Sequence, residues 1–196
     1  DGATHQCNED IALMRTIPGM VILNPSDDIE AKAAVKAAYE HEGPVYMRFG
    51  RLAVPIINDR PDYKFEIGKG VTLREGKDVA IIATGLCVSE SLAAAEKLAA
   101  DGIDAKVINI HTIKPLDEDL VVAAAKECGK VVTVEEHSVI GGLGSAVCET
   151  LSRKAPTPVK TIGVQDCFGE SGPAVALLEK YGLNAEGIYA SVKDFV

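Results

Sequence analysis

Residues 20–51 alternate strand and helix but hold only two strands, and that shortage constrains this chain more than any other feature. "GMVILNPS" reads as a buried strand stopped by Pro25. "SDDIEAKAAVKAAYEHEGP" reads as a helix, with Ser26 or Asp27 as N-cap, acidic residues in its first turn and Gly43-Pro44 as its stop. "VYMRFGR" follows as a second strand, and "DIALMRTIP" precedes both as a short helix. Strands joined through helices pair in parallel, and a parallel sheet needs several strands covered on both faces. Two strands do not stand alone. Residues 1–51 are therefore expected to be an incomplete layer, either a remnant or a block that completes itself against something else.

Residues 52–68, "LAVPIINDRPDYKFEIG", carry two prolines and no helical period, which reads as a linker. Residues 69–196 then repeat the strand–helix rhythm more fully. "DVAIIATG", "DAKVINI", "KVVTVEE" and "VKTIGV" are apolar strands. "VSESLAAAEKLAADG", "LDEDLVVAAAKECG" and the glycine-led "GGLGSAVCETLSRK" are helices, and two shorter ones lie around 173–181 and 185–195. The expectation is a three-layer α/β/α domain with a mainly parallel sheet over 70–164, preceded by the incomplete α/β block.

Composition narrows the function classes. At 196 residues, 47% hydrophobic and 25% charged, the chain has the make-up of a soluble globular protein. Its net charge of −9 contains no basic block, which argues against nucleic acid as a partner. No run of 18 apolar residues exists to span a membrane. There is no basic-then-apolar secretory signal, although the missing initiator Met leaves an upstream segment open. Cys7, Cys87, Cys128, Cys148 and Cys167 are odd in number and far apart, which points to a reducing cytoplasm rather than disulfides.

Several polar stretches invite chemistry, each beside a plainer explanation. "GGLGS" (141–145) ahead of a helix suits an anion, or simply a tight turn and close helix packing. "EEH" (135–137) ends a strand, where open α/β sheets place ligands; Glu135, Glu136 and His137 suit acid–base work or a wet loop equally. His111 stands in the same situation, and Asp117 is most economically a helix cap. His41 closes a helix, where a cation suits the dipole. Arg48 and Arg51 lie on and just past the end of the second strand, positioned either to grip a phosphate bidentately or to form surface ion pairs.

Taken together, "DGATHQCNEDIALMRTIPGMVILNPSDDIEA" resembles the middle of the pyrimidine-binding domain of transketolases, with their D-G-x-[ST]-H-Q, L-R-x-I-P and P-[AS]-D motifs. "GPVYMRFGR" is similar to the strand that follows. "YKFEIGKGVTLREGKDVAIIATG", "INIHTIKPLDED", "VTVEEHSVIGGLGSAV" and "FGESG" resemble the carboxyl-terminal domain of the broader thiamine-diphosphate group. The similarity covers essentially the whole chain and is nearest to the carboxyl-terminal subunit of split, two-chain transketolases.

The resemblance implies transfer of a two-carbon ketol unit between sugar phosphates, with thiamine diphosphate and magnesium in the complete enzyme. It implies that Asp1 bonds a hydroxyl of the ketose donor and that His5 bonds the donor's oxygens and helps move a proton. Arg51 would hold the sugar phosphate, with Arg48 a weaker candidate for that role. The family's activating glutamate lies upstream of the D-G-x-[ST]-H-Q motif, and its GDG…N motif belongs to another domain or subunit. No cofactor or metal is therefore expected on this chain alone. The implied partners are sugar-phosphate substrates, an N-terminal subunit or segment, and further copies of the chain as a dimer or larger homo-oligomer. The same resemblance leaves two sister enzymes open, 1-deoxyxylulose-5-phosphate synthase and the β subunit of 2-oxo-acid dehydrogenases, besides a non-catalytic assembly module.

Overall fold

The structure, a computed structural model, describes residues 2–196, so Asp1 lies outside the described residues. The chain starts with a single 3₁₀ turn, Ala3–His5, and a short helix α1 (Asp10–Arg15). Strand β1 (Val21–Leu23) is buried throughout and leads to helix α2 (Asp28–Glu40) and strand β2 (Val45–Met47). Asp27 is the N-cap of α2, its carboxylate accepting from the Glu30 N–H at 2.8 Å. The same carboxylate accepts from the main-chain N–H groups of Ile57 and Asn58 at 2.8 and 2.7 Å, which pins that proline-bearing stretch onto the helix start.

No helix or strand occurs between Met47 and Val71. Strand β3 (Val71–Arg74), strand β4 (Val79–Ala83), helix α3 (Cys87–Ala100) and strand β5 (Ala105–Asn109) come next. Strand β6 (Thr112–Lys114), helix α4 (Glu118–Cys128), strand β7 (Val131–Ser138), helix α5 (Leu143–Lys154) and strand β8 (Val159–Val164) follow. Helices α6 (Ala174–Lys180) and α7 (Ala185–Phe195) finish the chain. The main sheet runs β3-β5-β4-β7-β8, parallel apart from the antiparallel edge β3. Both of its faces are covered. Val79, Ile81 and Ala83 of β4 join a core with α3 and α7, while Ala80 and Ile82 join a second core with α4 and α5. That two-sided burial is why the strand reads as an unbroken apolar run rather than an alternating one.

The two-strand block is completed by the rest of the chain. A second sheet has the order β2-β1-β6, with β1 and β2 parallel and β6 antiparallel to β1. Its third strand is thus supplied from between β5 and α4. Ile113 carries the sheet's small core, packed with Ile11 and Ile22. The Lys114 ammonium extends the contact by donating to the carbonyls of Arg15 and Ile17. The polar cluster beside it is similarly shared: the buried Glu30 carboxylate accepts from Ser26 N, Ser26 Oγ, Tyr63 OH and Asn109 Nδ2.

Two strands went unread in the sequence. β6 is three residues long, too short to show a period of two, and β3 is a half-buried edge whose "VTLR" alternates weakly. The helices and strands assigned to 79–164, the caps at Asp27 and Asp117, and the left-handed stop at Gly129 match the structure. Because Asp27 serves three N–H groups, Asp27→Ala is expected to destabilise the fold by about 2–4 kcal/mol. The exposed Asp28→Ala should stay within about 0.5 kcal/mol. Urea unfolding of the two variants checks this, and equal losses would refute the shared-cap account.

Candidate active site

A cavity of about 660 Å³ opens between the first residues, the end of β2 and helix α6. His5 and Arg51 both line it, together with Asp10, Arg48, Glu136 and Tyr181. The sequence-expected histidine and arginine therefore meet in one place. His5 is exposed and its turn is closed by His5 N–H donating to the Gly2 carbonyl at 2.9 Å; its Nδ1 lies 3.3 Å from Thr4 Oγ1. Asp1, the other expected catalytic residue, falls outside the described residues.

Arg48 lines the same cavity but is held by protein groups. Its side chain is only 12% exposed. Nε donates to Asp10 Oδ2 at 3.0 Å, Nη2 donates to the carbonyls of Cys7 and Glu136 at 2.9 and 2.8 Å, and Nη1 lies 3.5 Å from Glu136 Oε2. A phosphate at Arg48 would have to displace these acceptors, so the geometry disfavours the phosphate-gripping role considered for it. Tyr46 completes the arrangement, its hydroxyl donating to Asp10 Oδ2 at 2.8 Å. Burial and then that bond push the phenol up to about 12, which keeps it a donor. Burial also raises the Glu136 carboxyl, against the pull of Arg48.

The "EEH" stretch separates by strand alternation. Glu136 faces the cavity, whereas Glu135 and His137 are wholly buried. Glu135 accepts from the main-chain N–H groups of Leu143 and Gly144 at 2.7 and 2.8 Å, satisfying the open start of α5. A Cβ at Gly142 would collide with the Glu135 carboxylate and with His137 Nδ1, and one at Gly144 with Thr161 and Thr133. Gly142 and Gly144 are thus explained by close packing around the buried Glu135 carboxylate, and Gly141 by its positive φ and its approach to Ala12. His137 donates from Nδ1 to the Ser138 carbonyl at 2.6 Å and accepts at Nε2 from Ala12 N–H, and burial lowers its pKa. His111, buried and stacked on Phe65 at 4.3 Å, lies away from the cavity.

Known proteins carry the same two-part layout. The family model for the transketolase C-terminal domain matches residues 68–188, and that for the transketolase pyrimidine-binding domain matches residues 1–56. The chain belongs to the transketolase family. It is 48% identical over 194 residues to the 6-deoxy-6-sulfo-D-fructose transketolase subunit of Clostridium sp. (strain MSTE9), covering 99% of this chain and 60% of that protein. It is 40% identical over 201 residues to 1-deoxy-D-xylulose-5-phosphate synthase 1 of Geobacter sulfurreducens, covering 100% of this chain and 31% of that protein. A solved split-gene transketolase, described as an inactive β4 tetramer, superposes with a TM-score of 0.93 at 52% identity, covering 98% of this chain and 63% of that one. The chain thus spans less than two thirds of each of these transketolase-family relatives.

Sequence reasoning missed Asp10 and Tyr46, because a helix-opening Asp and a strand Tyr look like ordinary capping and packing. The α6 wall, including Leu177 and Tyr181, left no motif at all. Burial pushes the Glu135 carboxyl from its ordinary 4.5 up to about 7, against the two N–H donors. The folded state therefore holds this proton more tightly than the unfolded chain does. The resulting stability is complete below 4.5 and is lost as pH rises toward about 7. Urea midpoints of the natural chain relative to those of Glu135→Gln should fall with pH across that window, the buried His111 and His137, whose lowered pKa values act in the opposite sense, being common to both chains. A constant difference would show that Glu135 is not the group responsible.

Proposed function

We propose that this chain forms the substrate-facing part of a two-part enzyme that moves a two-carbon ketol unit from a ketose phosphate to an aldose phosphate. The convergence of His5 and Arg51 on one cavity, in a chain of this family, carries the reading. His5 binds the donor's oxygens and passes a proton at the hydroxyl beside the breaking C–C bond. Asp1 holds a donor hydroxyl. Arg51 grips the anionic end of the sugar, its planar fork matching two oxygens at once. The sulfo-sugar in one relative's name fits this view, since a sulfonate offers a guanidinium much the same oxygens as a phosphate does.

Thiamine diphosphate, when bound in the complete enzyme, supplies the electron sink for carbon–carbon cleavage. This chain has no GDG motif, and among its described residues no three of His, Cys, Asp and Glu converge on a metal position. The residues present do not fit the diphosphate and magnesium, so we assign those contacts to an N-terminal subunit or segment. Self-association belongs to the same reading, supported by the β4 assembly of the solved relative. No described helix is long and apolar enough to cross a membrane. A second reading, 1-deoxyxylulose-5-phosphate synthesis, is favoured by the 40%-identical relative bearing that name. Product analysis after reconstitution with the N-terminal part separates the two.

In the reconstituted enzyme, Arg51→Ala should raise KM for phosphorylated acceptors and leave kcat nearly unchanged. His5→Ala should lower kcat by about 10²–10⁴-fold. Steady-state ketol transfer with phosphorylated and unphosphorylated acceptors reads both, and normal turnover without His5 would sink its assignment. The isolated chain should bind thiamine diphosphate weakly or not at all, and submillimolar affinity in titration calorimetry would overturn the division of labour.

A further inference from the structure

We propose that Arg48 is a positioning residue, the joint through which the end of β7 sets the location of the His5-bearing segment. This inference rests on the proposed function only where it refers to turnover; the mechanical part stands on geometry alone. Residues 2–8 contain one 3₁₀ turn and no other regular structure, so their position depends on what holds them.

The holding points come largely from residues 136–171. Ser138 N–H donates to the Asn8 carbonyl at 2.8 Å, Gln6 Nε2 donates to the Glu170 carbonyl at 2.8 Å, and Ala3 N–H reaches Ser171 Oγ at 3.4 Å. Arg48 alone of these ties three elements together. From β2's end it donates to the Cys7 carbonyl, to the carboxylate of Asp10 at the start of α1, and to the Glu136 carbonyl on β7. Its planar fork presents donors in fixed directions, which a lysine ammonium on a flexible stem cannot reproduce. Tyr46 keeps Asp10 turned toward it.

Burial makes this joint stiff. Asp10 and Arg48 are both nearly closed to water, so their charge-assisted bonds are weakly screened. Losing the fork leaves the Asp10 carboxylate held by Tyr46 without its cation and releases the Cys7 carbonyl, two residues from His5. A displacement of about 1 Å at a catalytic group costs up to about 10²-fold in rate. A phosphate ligand would behave differently, because removing it weakens binding of phosphorylated substrates selectively.

The test compares Arg48→Gln, Arg48→Lys and the milder Tyr46→Phe in the full chain by amide hydrogen exchange, and in the reconstituted enzyme by ketol transfer. Arg48→Gln should speed exchange over residues 3–8 by about tenfold or more while β4, β5 and β7 stay protected. It should lower kcat by about 10–10²-fold, with KM moving alike for phosphorylated and unphosphorylated acceptors. Arg48→Lys should fail to restore either readout, and Tyr46→Phe should fall between it and the natural chain. If Arg48→Gln does not fold, the lysine and phenylalanine variants decide alone. Unchanged exchange over 3–8, a uniform loss of protection through the sheet, full rescue by lysine, or a KM increase confined to phosphorylated acceptors would each overturn the proposal. A natural enzyme with no ketol transfer would remove the functional reading, and the exchange comparison would still decide Arg48.

Discussion

The carboxyl edge of the five-stranded sheet is filled by protein, and the arrangement of everything before residue 70 follows from that. Open α/β sheets ordinarily leave a crevice at this edge for a ligand. Here Asn24 N–H donates to the His111 carbonyl, Gly85 N–H donates to the Asn24 carbonyl, and Ser138 N–H donates to the Asn8 carbonyl. The carbonyl of Glu136 is taken by Arg48. Main-chain groups that would face solvent or ligand are satisfied by the first block, and the cavity lies outward at the rim where His5 and Arg51 stand.

Such an edge forces polar atoms indoors, and the structure meets the requirement with carboxylates. Asp27, Glu30 and Glu135 are buried acceptors for N–H and O–H groups that turns and helix starts leave unpaired. Their environments differ. Burial pushes Asp27 upward too, but the donors from Glu30, Ile57 and Asn58 outweigh it and hold the group below its usual value. Glu135 has only two N–H donors in a fully closed setting, and there burial wins. Asp10 extends the same device to a cation, anchoring Arg48 at the cavity's edge.

Much of this was legible in the residues. Apolar runs such as Val79–Ala83 betray strands buried on two faces, and Asp27, Asp117 and Gly129 mark helix ends by chemistry that local sequence suffices to show. The shortage of strands in the first block left open a remnant or completion from elsewhere; the structure shows completion by residues 112–114, which the sequence could not reveal because a three-residue strand carries no period. His5 and Arg51 were legible as a pair only through the family motif. The occupation of Arg48 was not, since its acceptors at Cys7, Asp10 and Glu136 are brought together by tertiary contacts that no spacing records. Glu135 and Glu136 illustrate the limit well: adjacent and identical, they differ only in which side of a strand they occupy.

The pairing of β1 with β6 has a consequence for how the chain is made. Ile22 and Lys114 are register partners separated by about ninety residues, a long loop to close before any contact rewards it. On the ribosome β1 emerges well ahead of β6, and its apolar residues have no complete sheet to enter until that strand is available. His5 and Arg51, on one side of the cavity, are made before β6, the strand that completes the sheet beside them.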